Sequence, residues 1–165
     1  MRRLFKVFRN KAALAGLLTI LFFIFIAVFA EFIAPYSPYE QNLADRLQPP
    51  SKSHLLGTDD HGRDILSRII YGARISLAIG LISVALALGV GISAGLVSAY
   101  YGGIVDTLLM RLFDVMLAFP TILLAMAIMA ALGPDLENAM IAVGIVNIPT
   151  FARIVRASAL IVKEQ

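Results

Sequence analysis

The sequence predicts an all-α integral membrane protein with four transmembrane helices and one interfacial amphipathic helix. The chain is 59% hydrophobic, and its mean hydropathy is +0.85. Only 15% of its residues are charged, whereas a soluble domain carries about 25%. Charge-free runs of about 20 residues, enough to cross a bilayer, alternate with polar segments. There is no cysteine, which excludes disulfides and thiolate metal sites.

The first predicted span is charge-free from Ala12 to Ala30 and extends past Glu31 to Ala34. Five of the fourteen Lys and Arg residues crowd the start of the chain: Arg2, Arg3, Lys6, Arg9 and Lys11. Because basic residues stay in the cytoplasm, this end is predicted to be inside. The same tail explains the net charge of +3 without a nucleic-acid partner. A cleaved signal peptide is the alternative, but the apolar run is too long for one.

A proline-rich loop over residues 35–55 is predicted to lie outside, with Tyr36 and Tyr39 at the membrane interface. Proline breaks helices and favours extended chain, and four prolines stand here: Pro35, Pro38, Pro49 and Pro50. Up to Arg74 the loop is far less basic than the N-terminal tail, which agrees with an outside location.

The densest polar stretch is segment 56–77, LGTDDHGRDILSRIIYGARISL. Its Gly-Thr pair predicts a turn, and Asp59 or Asp60 is predicted to cap the following helix. From Arg63 the pattern predicts an amphipathic helix. One stripe carries Ile65, Ile69, Ile70 and Ala73, whereas Asp64, Ser67, Arg68 and Arg74 lie largely elsewhere. Such a helix suits the water–lipid boundary, as a ramp into a membrane span.

The acidic residues and His61 of this segment raise the alternative of a metal site. Hard cations need more oxygen ligands at alternating positions, and Arg63 intrudes into the series. We therefore favour a capped helix start with surface ion pairs and predict no metal. The candidate outer-loop motif consists of Gly57, Thr58, Asp59, Gly62, Arg63 and Asp64.

The second predicted span, residues 75–101, carries no charge. Ala87, Gly91 and Gly95 recur at every fourth position, and such a stripe of small residues lets another helix approach closely. A Tyr-Tyr-Gly-Gly turn follows at residues 100–103, on the cytoplasmic side by alternation.

Charged residues recur at the start of the third predicted span: Asp106, Arg111 and Asp114. Arg111 and Asp114 are three residues apart and are expected to pair. Ionisable groups at membrane depth are costly and face protein or water; an interfacial ion pair is the alternative. The charge-free part covers residues 115–134, with a kink predicted at Pro120.

A fourth apolar run covers residues 138–152 and is predicted to be interrupted at Asn147 and Pro149. A polar side chain beside a broken helix either joins helices or lines a pore. Arg153 and Arg156 mark the inner end. The chain contains no P-loop, so no bound nucleotide or other cofactor is predicted, and no Ser/His/Asp arrangement, so no enzymatic activity is expected.

Four motifs occur along the chain in a fixed order. They are segment 56–77, AYYGG at 99–103, MRLFDVMLAFP at 110–120 and ARIVRASALIVKEQ at 152–165. Together they resemble the permease subunits of ABC importers for dipeptides, oligopeptides or nickel, and more narrowly the second permease of the pair. The resemblance divides the chain into an N-terminal permease region, 1–70, and the N-terminal part of a type I transmembrane domain, 71–165.

The resemblance implies a multi-pass translocation subunit in a bacterial or archaeal cytoplasmic (inner) membrane. It implies a second permease, two cytoplasmic ATPases that bind ATP, an external substrate-binding protein and lipid as partners. The outer-loop motif would then lie near the docking site of the binding protein. Alternating access would be driven through helix packing. The candidate residues for the translocation path or gate are Arg111, Asp114, Pro120, Asn147 and Pro149.

The chain departs from the resemblance in one respect. Such permeases carry six spans with a cytoplasmic EAA-type loop after the fourth, and this sequence stops at Gln165, where that loop would begin. We therefore expect an incomplete fold that inserts in the membrane but does not support import by itself. The rival hypothesis is a membrane-embedded accessory protein or a non-functional fragment. A secondary transporter would need repeats and several buried carboxylates.

Overall fold

A computed structural model describes residues 10–163 of the chain. The basic tail at residues 2–9 and the last two residues lie outside that range. The helices are α1 (Lys11–Val28), α2 (Ala30–Ile33), α3 (Ile65–Tyr101), α4 (Gly103–Ala118), α5 (Thr121–Leu132) and α6 (Leu136–Lys163), with a short 3-10 turn at Leu43–Asp45. The chain forms two compact units, residues 1–78 and 79–165, and each is described by itself.

Three of the described helices, α1, α3 and α6, are long and apolar enough to cross a membrane. α4 and α5 pass the same test together as a bent pair, which gives up to four spans. The prediction of an all-α membrane protein is confirmed, since the regular structure of residues 10–163 is helical apart from one isolated bridge between Thr58 and Asp64.

The amphipathic segment and the second predicted span form one uninterrupted helix, α3. Its 37 residues extend about 56 Å at 1.5 Å per residue, whereas the hydrocarbon core is only ~30 Å thick. The helix begins at Ile65 and not at Arg63. The ramp into the membrane is therefore the first turns of the span itself, and not a separate interfacial helix.

In the N-terminal unit, the outer end of α1 is held to α3 by one arginine. The Arg74 guanidinium donates to the carbonyl oxygens of Ala27 at 3.0 Å and Val28 at 3.4 Å, and to the Glu31 carboxylate at 3.1 Å. The last carbonyls of a helix have no partner within it, so Arg74 caps α1. Most other side chains of α1 are exposed, as expected for a helix surrounded by lipid or other subunits.

In the C-terminal unit, α3 and α6 pack side by side in the same direction. The Ser83 hydroxyl donates to the Met140 carbonyl oxygen at 2.8 Å. Twelve residues further along α3, a Cβ at Gly95 would lie 2.5 Å from the Ala152 carbonyl oxygen. Because residue numbers rise together along both helices, α3 and α6 are parallel.

α4 runs in the opposite direction along α6. Asp106 near its start contacts Arg156, and Phe113 seven residues later packs with Ile148 and Ala152. Because α3 and α6 are parallel, the chain that connects them must run back from the end of α3 to the start of α6. The bent pair α4–α5 makes this return, which fits a broken span and agrees with the predicted alternation of loops.

The two prolines behave differently. Pro120 separates α4 from α5, whose axes differ by 97°, so the expected kink is a complete break. Pro149 lies inside α6 without ending it, so the predicted interruption of the fourth span is wrong. Pro149 is fully buried, and packing by neighbouring helices is what allows a proline within a membrane helix.

Candidate functional site

The outer-loop motif folds into a turn that is organised by Asp59. One Asp59 carboxylate oxygen, Oδ1, accepts the backbone N–H groups of His61 at 2.9 Å and Arg63 at 3.0 Å. The other, Oδ2, accepts Nε of Arg63 at 2.8 Å and the guanidinium of Arg68. Asp59 thus closes a loop before the helix instead of starting it.

The N-cap of α3 is Asp64, so the prediction of Asp59 or Asp60 is wrong. Asp64 Oδ2 accepts the Ser67 backbone N–H and the Ser67 hydroxyl, both at 2.8 Å, and Oδ1 lies 3.0 Å from Nδ1 of His54. The turn held by Asp59 adds five residues before helical geometry begins. Sequence spacing could not show which of these aspartates is the N-cap, since all of them precede the apolar residues of the helix.

Both carboxylates are held in the ionised form. Burial opposes ionisation of Asp59, but the backbone N–H groups of Arg63 and His61 and the Arg63 guanidinium outweigh it and hold its pKa well below the usual value. Burial likewise opposes ionisation of Asp64, and the hydrogen bonds from Ser67 and His54 still lower its pKa. The Asp60 pKa is lowered by its hydrogen bond with exposed His61.

The loop covers one polar and one apolar residue in the first turns of α3, together with its N-cap. Asp64, Ser67 and Ile70 are buried, whereas Ile69 is 58% exposed. The Ser67 hydroxyl oxygen accepts the Tyr36 backbone N–H at 3.1 Å. The loop packs on the side of the helix away from Ile69, which leaves the side chain of Ile69 on the surface; the predicted position of the apolar stripe at the water–lipid boundary stays a prediction.

The remaining members of the motif hold the loop together. Gly57 and Gly62 have positive φ angles of 76° and 71°, and a Cβ at Gly62 would lie 1.7 Å from the Asn42 carbonyl oxygen. The Thr58 hydroxyl donates to the Asp45 carbonyl oxygen and accepts the Gln48 N–H at 2.9 Å. Each residue of the motif thus stabilises the fold of this loop, through a hydrogen bond, an ion pair or a positive φ angle.

Asp59, Asp60 and His61 bring potential metal-ligand atoms within 4.8 Å of one another. The Asp59 oxygens are already occupied by the donors described above, and Nδ1 of His61 lies 2.8 Å from the Asp60 carboxylate. The surface ion pairs expected here are present, whereas the cap of the helix start is Asp64 and not one of these three residues.

A polar junction joins α3, α4 and α6 in the C-terminal unit. Nε and Nη2 of Arg156 donate to the two carboxylate oxygens of Asp106, each at 2.5 Å. The Ser98 hydroxyl of α3 donates to the same carboxylate. Nζ of Lys163 donates to the carbonyl oxygens of Ala99 at 3.1 Å and Tyr100 at 2.9 Å, which caps the end of α3.

This three-helix junction was not predicted as a unit. The sequence indicated a charge at Asp106 and a basic end at Arg156, but nothing local links two residues that are 50 positions apart. The available signal was that Asp106 and Arg156 are opposite charges in neighbouring apolar runs, at the same predicted side of the membrane.

Asp114 pairs with Arg153 of α6 and not with Arg111. The predicted pair within the helix is therefore wrong, and Arg111 has no carboxylate within salt-bridge distance among residues 10–163. A partner on α6 is available to Asp114 because α4 crosses α6 there. Arg111 is exposed.

The other candidates of the translocation path lie apart from one another. Asn147 is exposed and donates to the Val143 carbonyl oxygen at 2.7 Å within its own helix. Pro149 is buried, and Pro120 is exposed at the break. The stripe Ala87, Gly91 and Gly95 faces α6: a Cβ at Gly91 would lie 2.8 Å from the Phe151 Cβ.

Two protein families match separate parts of the chain. Residues 2–50 match the N-terminal transmembrane domain of oligopeptide transport permease C. Residues 87–165 match the binding-protein-dependent transport system inner membrane component.

Curated relatives agree with both matches. The chain is 52% identical over 157 residues to the dipeptide transport system permease protein DppC of Alkalihalophilus pseudofirmus, covering 95% of this chain and 52% of that protein. It is 49% identical to the di/tripeptide transport system permease protein DppC of Pseudomonas aeruginosa, covering 92% and 52%. It is 45% identical to the glutathione transport system permease protein GsiD of Pectobacterium atrosepticum, covering 94% and 52%.

The chain spans about half the length of these relatives. Because the match to the first of them covers 95% of this chain, it includes the outer-loop motif and helices of both units. With its apolar helices it is a multi-pass protein of the inner membrane, and it belongs to the permease family of binding-protein-dependent transport systems.

Proposed function

We propose that the chain is a transmembrane permease subunit of an ABC importer for di- or oligopeptides and forms part of its translocation pathway. The observation that carries this proposal is the similarity of nearly the whole chain to permeases named for dipeptides, di/tripeptides and glutathione. All three names denote short peptides. Of the substrates that the sequence left open, peptides are supported by these names and nickel is not.

The chain's own contribution to transport is helix packing and not chemistry. α3, α4 and α6 contact each other through close backbone approach at Gly91 and Gly95 and through the Asp106–Arg156 pair. Packed cores switch between discrete arrangements instead of deforming continuously. A unit of this kind suits alternating access, in which helices reorient around a central path.

The energy and the substrate would come from partners. We propose that a second permease subunit completes the path, two cytoplasmic ATPases drive it, and an external binding protein delivers the peptide. The folded outer loop around Asp64 supports the last point, since its hydrogen bonds give it a defined surface on which a partner can dock with little rearrangement. The candidate path residues Arg111, Asp114, Pro120, Asn147 and Pro149 stay predictions.

The rival hypothesis is a membrane-embedded accessory protein without transport activity. The two hypotheses predict different peptide uptake by a host strain from which this gene has been deleted. We expect uptake of a labelled dipeptide to be lost on deletion and restored by the gene, whereas uptake of the free amino acids is unchanged. Unaltered peptide uptake, in a strain without other peptide importers, would support the rival.

A further inference from the structure

Arg74 joins α3 to the end of α1 at a break between two helices. α1 ends at Val28, and Phe29 separates it from the short helix α2. Carbonyl oxygens at the end of a helix accept no hydrogen bond from within it, and Arg74 donates to two of them, those of Ala27 and Val28. Its remaining nitrogen donates to the Glu31 carboxylate. Because all three guanidinium nitrogens are engaged, residue 74 of α3 is held level with the end of α1.

The length of α1 locates this contact relative to the membrane. Its 18 residues extend about 27 Å at 1.5 Å per residue, close to the ~30 Å of the hydrocarbon core. Lys11 stands at one end of its charge-free run and Glu31 at the other. Moving α1 by several ångströms along its axis would place one of these charges in hydrocarbon, which is costly. The pair of Arg74 with Glu31 therefore lies at the outer boundary of the hydrocarbon.

The part of α3 that precedes Arg74 then lies above this boundary. It covers residues 65–73 and extends about 13 Å along the helix axis, whereas the headgroup layer on one side is only about 5–8 Å thick. Arg68 and the buried N-cap Asp64 belong to this end of the helix, and residues 75–101 beyond Arg74 carry no charge. The first turns of α3 therefore pass through the headgroup layer and carry the outer loop into water.

We propose that Arg74 sets the depth of α1 and α3 in the bilayer. It holds the two helices level with each other at the outer lipid boundary, and its charge keeps residues 65–73 and the outer loop on the water side. The side chains of Arg74 and Glu31 are 45% and 64% exposed, and an arginine reaches headgroups while its aliphatic stem lies along apolar surface. The inference requires only that the chain spans the membrane, so it does not depend on the proposed function.

The first experiment locates the boundary in the protein with Arg74 intact. The permease is expressed from its own gene, and single cysteines at Ile69 and Leu81 are reacted with an impermeant maleimide added outside spheroplasts. In this chain Ile69 is 58% exposed and Leu81 is 75% exposed, but Leu81 lies about 10 Å below the boundary. We expect Ile69→Cys to react and Leu81→Cys to stay at the background of the unsubstituted protein, although exposure alone predicts the opposite order.

The second experiment removes the arginine and measures the reaction rate of Ile69→Cys per molecule in the membrane. Arg74→Leu extends the charge-free run of α3 back to residue 69 and frees the end of α1, so the first turns should sink into lipid and the rate should fall roughly tenfold. Arg68→Leu is the matched control, because Arg68 pairs with Asp59 of the loop; it should retain most of the rate. If Arg74→Leu does not accumulate, Arg74→Gln takes its place with the same expected fall.

Three results would overturn the proposal. Reaction of Leu81→Cys as fast as that of Ile69→Cys, or protection of both, would mean that the boundary is not at Arg74. An unchanged rate of Ile69→Cys in the Arg74 variant would mean that other contacts set the depth of α3. An equal fall in Arg68→Leu would mean that any charge in these turns suffices, which refutes the specific role of Arg74.

Discussion

Arg156 and Asp106 form a bidentate ion pair across 50 residues of sequence, with both donor–acceptor distances at 2.5 Å. The pair joins α6 to α4, and the Ser98 hydroxyl joins α3 to the same carboxylate. Planar bidentate contacts of this kind fix geometry as well as adding energy. The junction therefore fixes how the ends of three helices meet.

Asp106→Asn should destabilise the C-terminal unit. The amide cannot accept from Ser98 and both Arg156 donors at once, and hydrogen bonds to charged groups contribute about 1.5–3 kcal/mol each. We expect a loss of about 2 kcal/mol, measured as a lower Tm of the detergent-solubilised protein. Asp114→Asn is the control, because its exposed pair with Arg153 is of the kind worth roughly 0–1 kcal/mol. Equal effects of both variants would contradict the assignment.

Gly95→Leu and Gly91→Leu should disrupt the contact between α3 and α6. Even a Cβ at Gly95 would lie 2.5 Å from a backbone oxygen of α6, which cannot move away cheaply. Gly89→Leu is a matched control on the same helix, because nothing lies within 4 Å of its Cβ position. We expect reduced amounts of folded protein in the membrane for the first two and unchanged amounts for the control. Normal accumulation of Gly95→Leu would refute the close packing.

The outer loop should be stable at neutral pH and lose stability in acid. The pKa values of Asp59 and Asp64 are lowered by folding from their usual value of 3.8, so their contribution is present above that value and is lost as the pH falls through the folded-state pKa. The hydrogen-exchange protection factor of the Ser67 amide reports this directly. It should be constant from pH 5 to 8 and decrease below 3.8. A decrease between pH 7 and 5 would implicate other groups.

The order of the spans predicts which loops face outside. A cysteine at Ser53 and one at Asp135 should react with an impermeant reagent from outside, whereas a cysteine at Tyr101 should be protected. Tyr101 is preferable to Gly102, whose φ of 63° disfavours any side chain. Protection at Asp135 would mean that α4–α5 re-enters on one side, against the parallel packing of α3 and α6.

Much of this architecture could be predicted from the sequence because bilayer thickness dictates it. The charge-free runs predict the spans. The stripe Ala87, Gly91 and Gly95 predicts a contact with another helix, and in the structure that helix is α6. The division of the chain at residue 70 stays a prediction.

The errors arose where a side chain finds its partner in a distant segment. Asp114 pairs with Arg153 on another helix, and Asp64 rather than Asp59 caps α3 because the loop folds back over it. Pro149 stays helical because neighbouring helices enclose it. Local spacing in the sequence cannot predict these contacts. Some of them depend on how segments 30 or more residues apart pack together, and the cap at Asp64 depends on how the whole outer loop folds.

The central claim is that this chain forms part of a path through which ATP hydrolysis drives peptides into the cell. The most direct test is reconstitution of the permease from its own gene with the second permease and the ATPases in vesicles, with the binding protein and a labelled dipeptide on the external face. We predict that the dipeptide accumulates inside against its gradient, only when ATP is supplied on the ATPase side. Accumulation at the same rate and level from vesicles that lack this permease would contradict the claim.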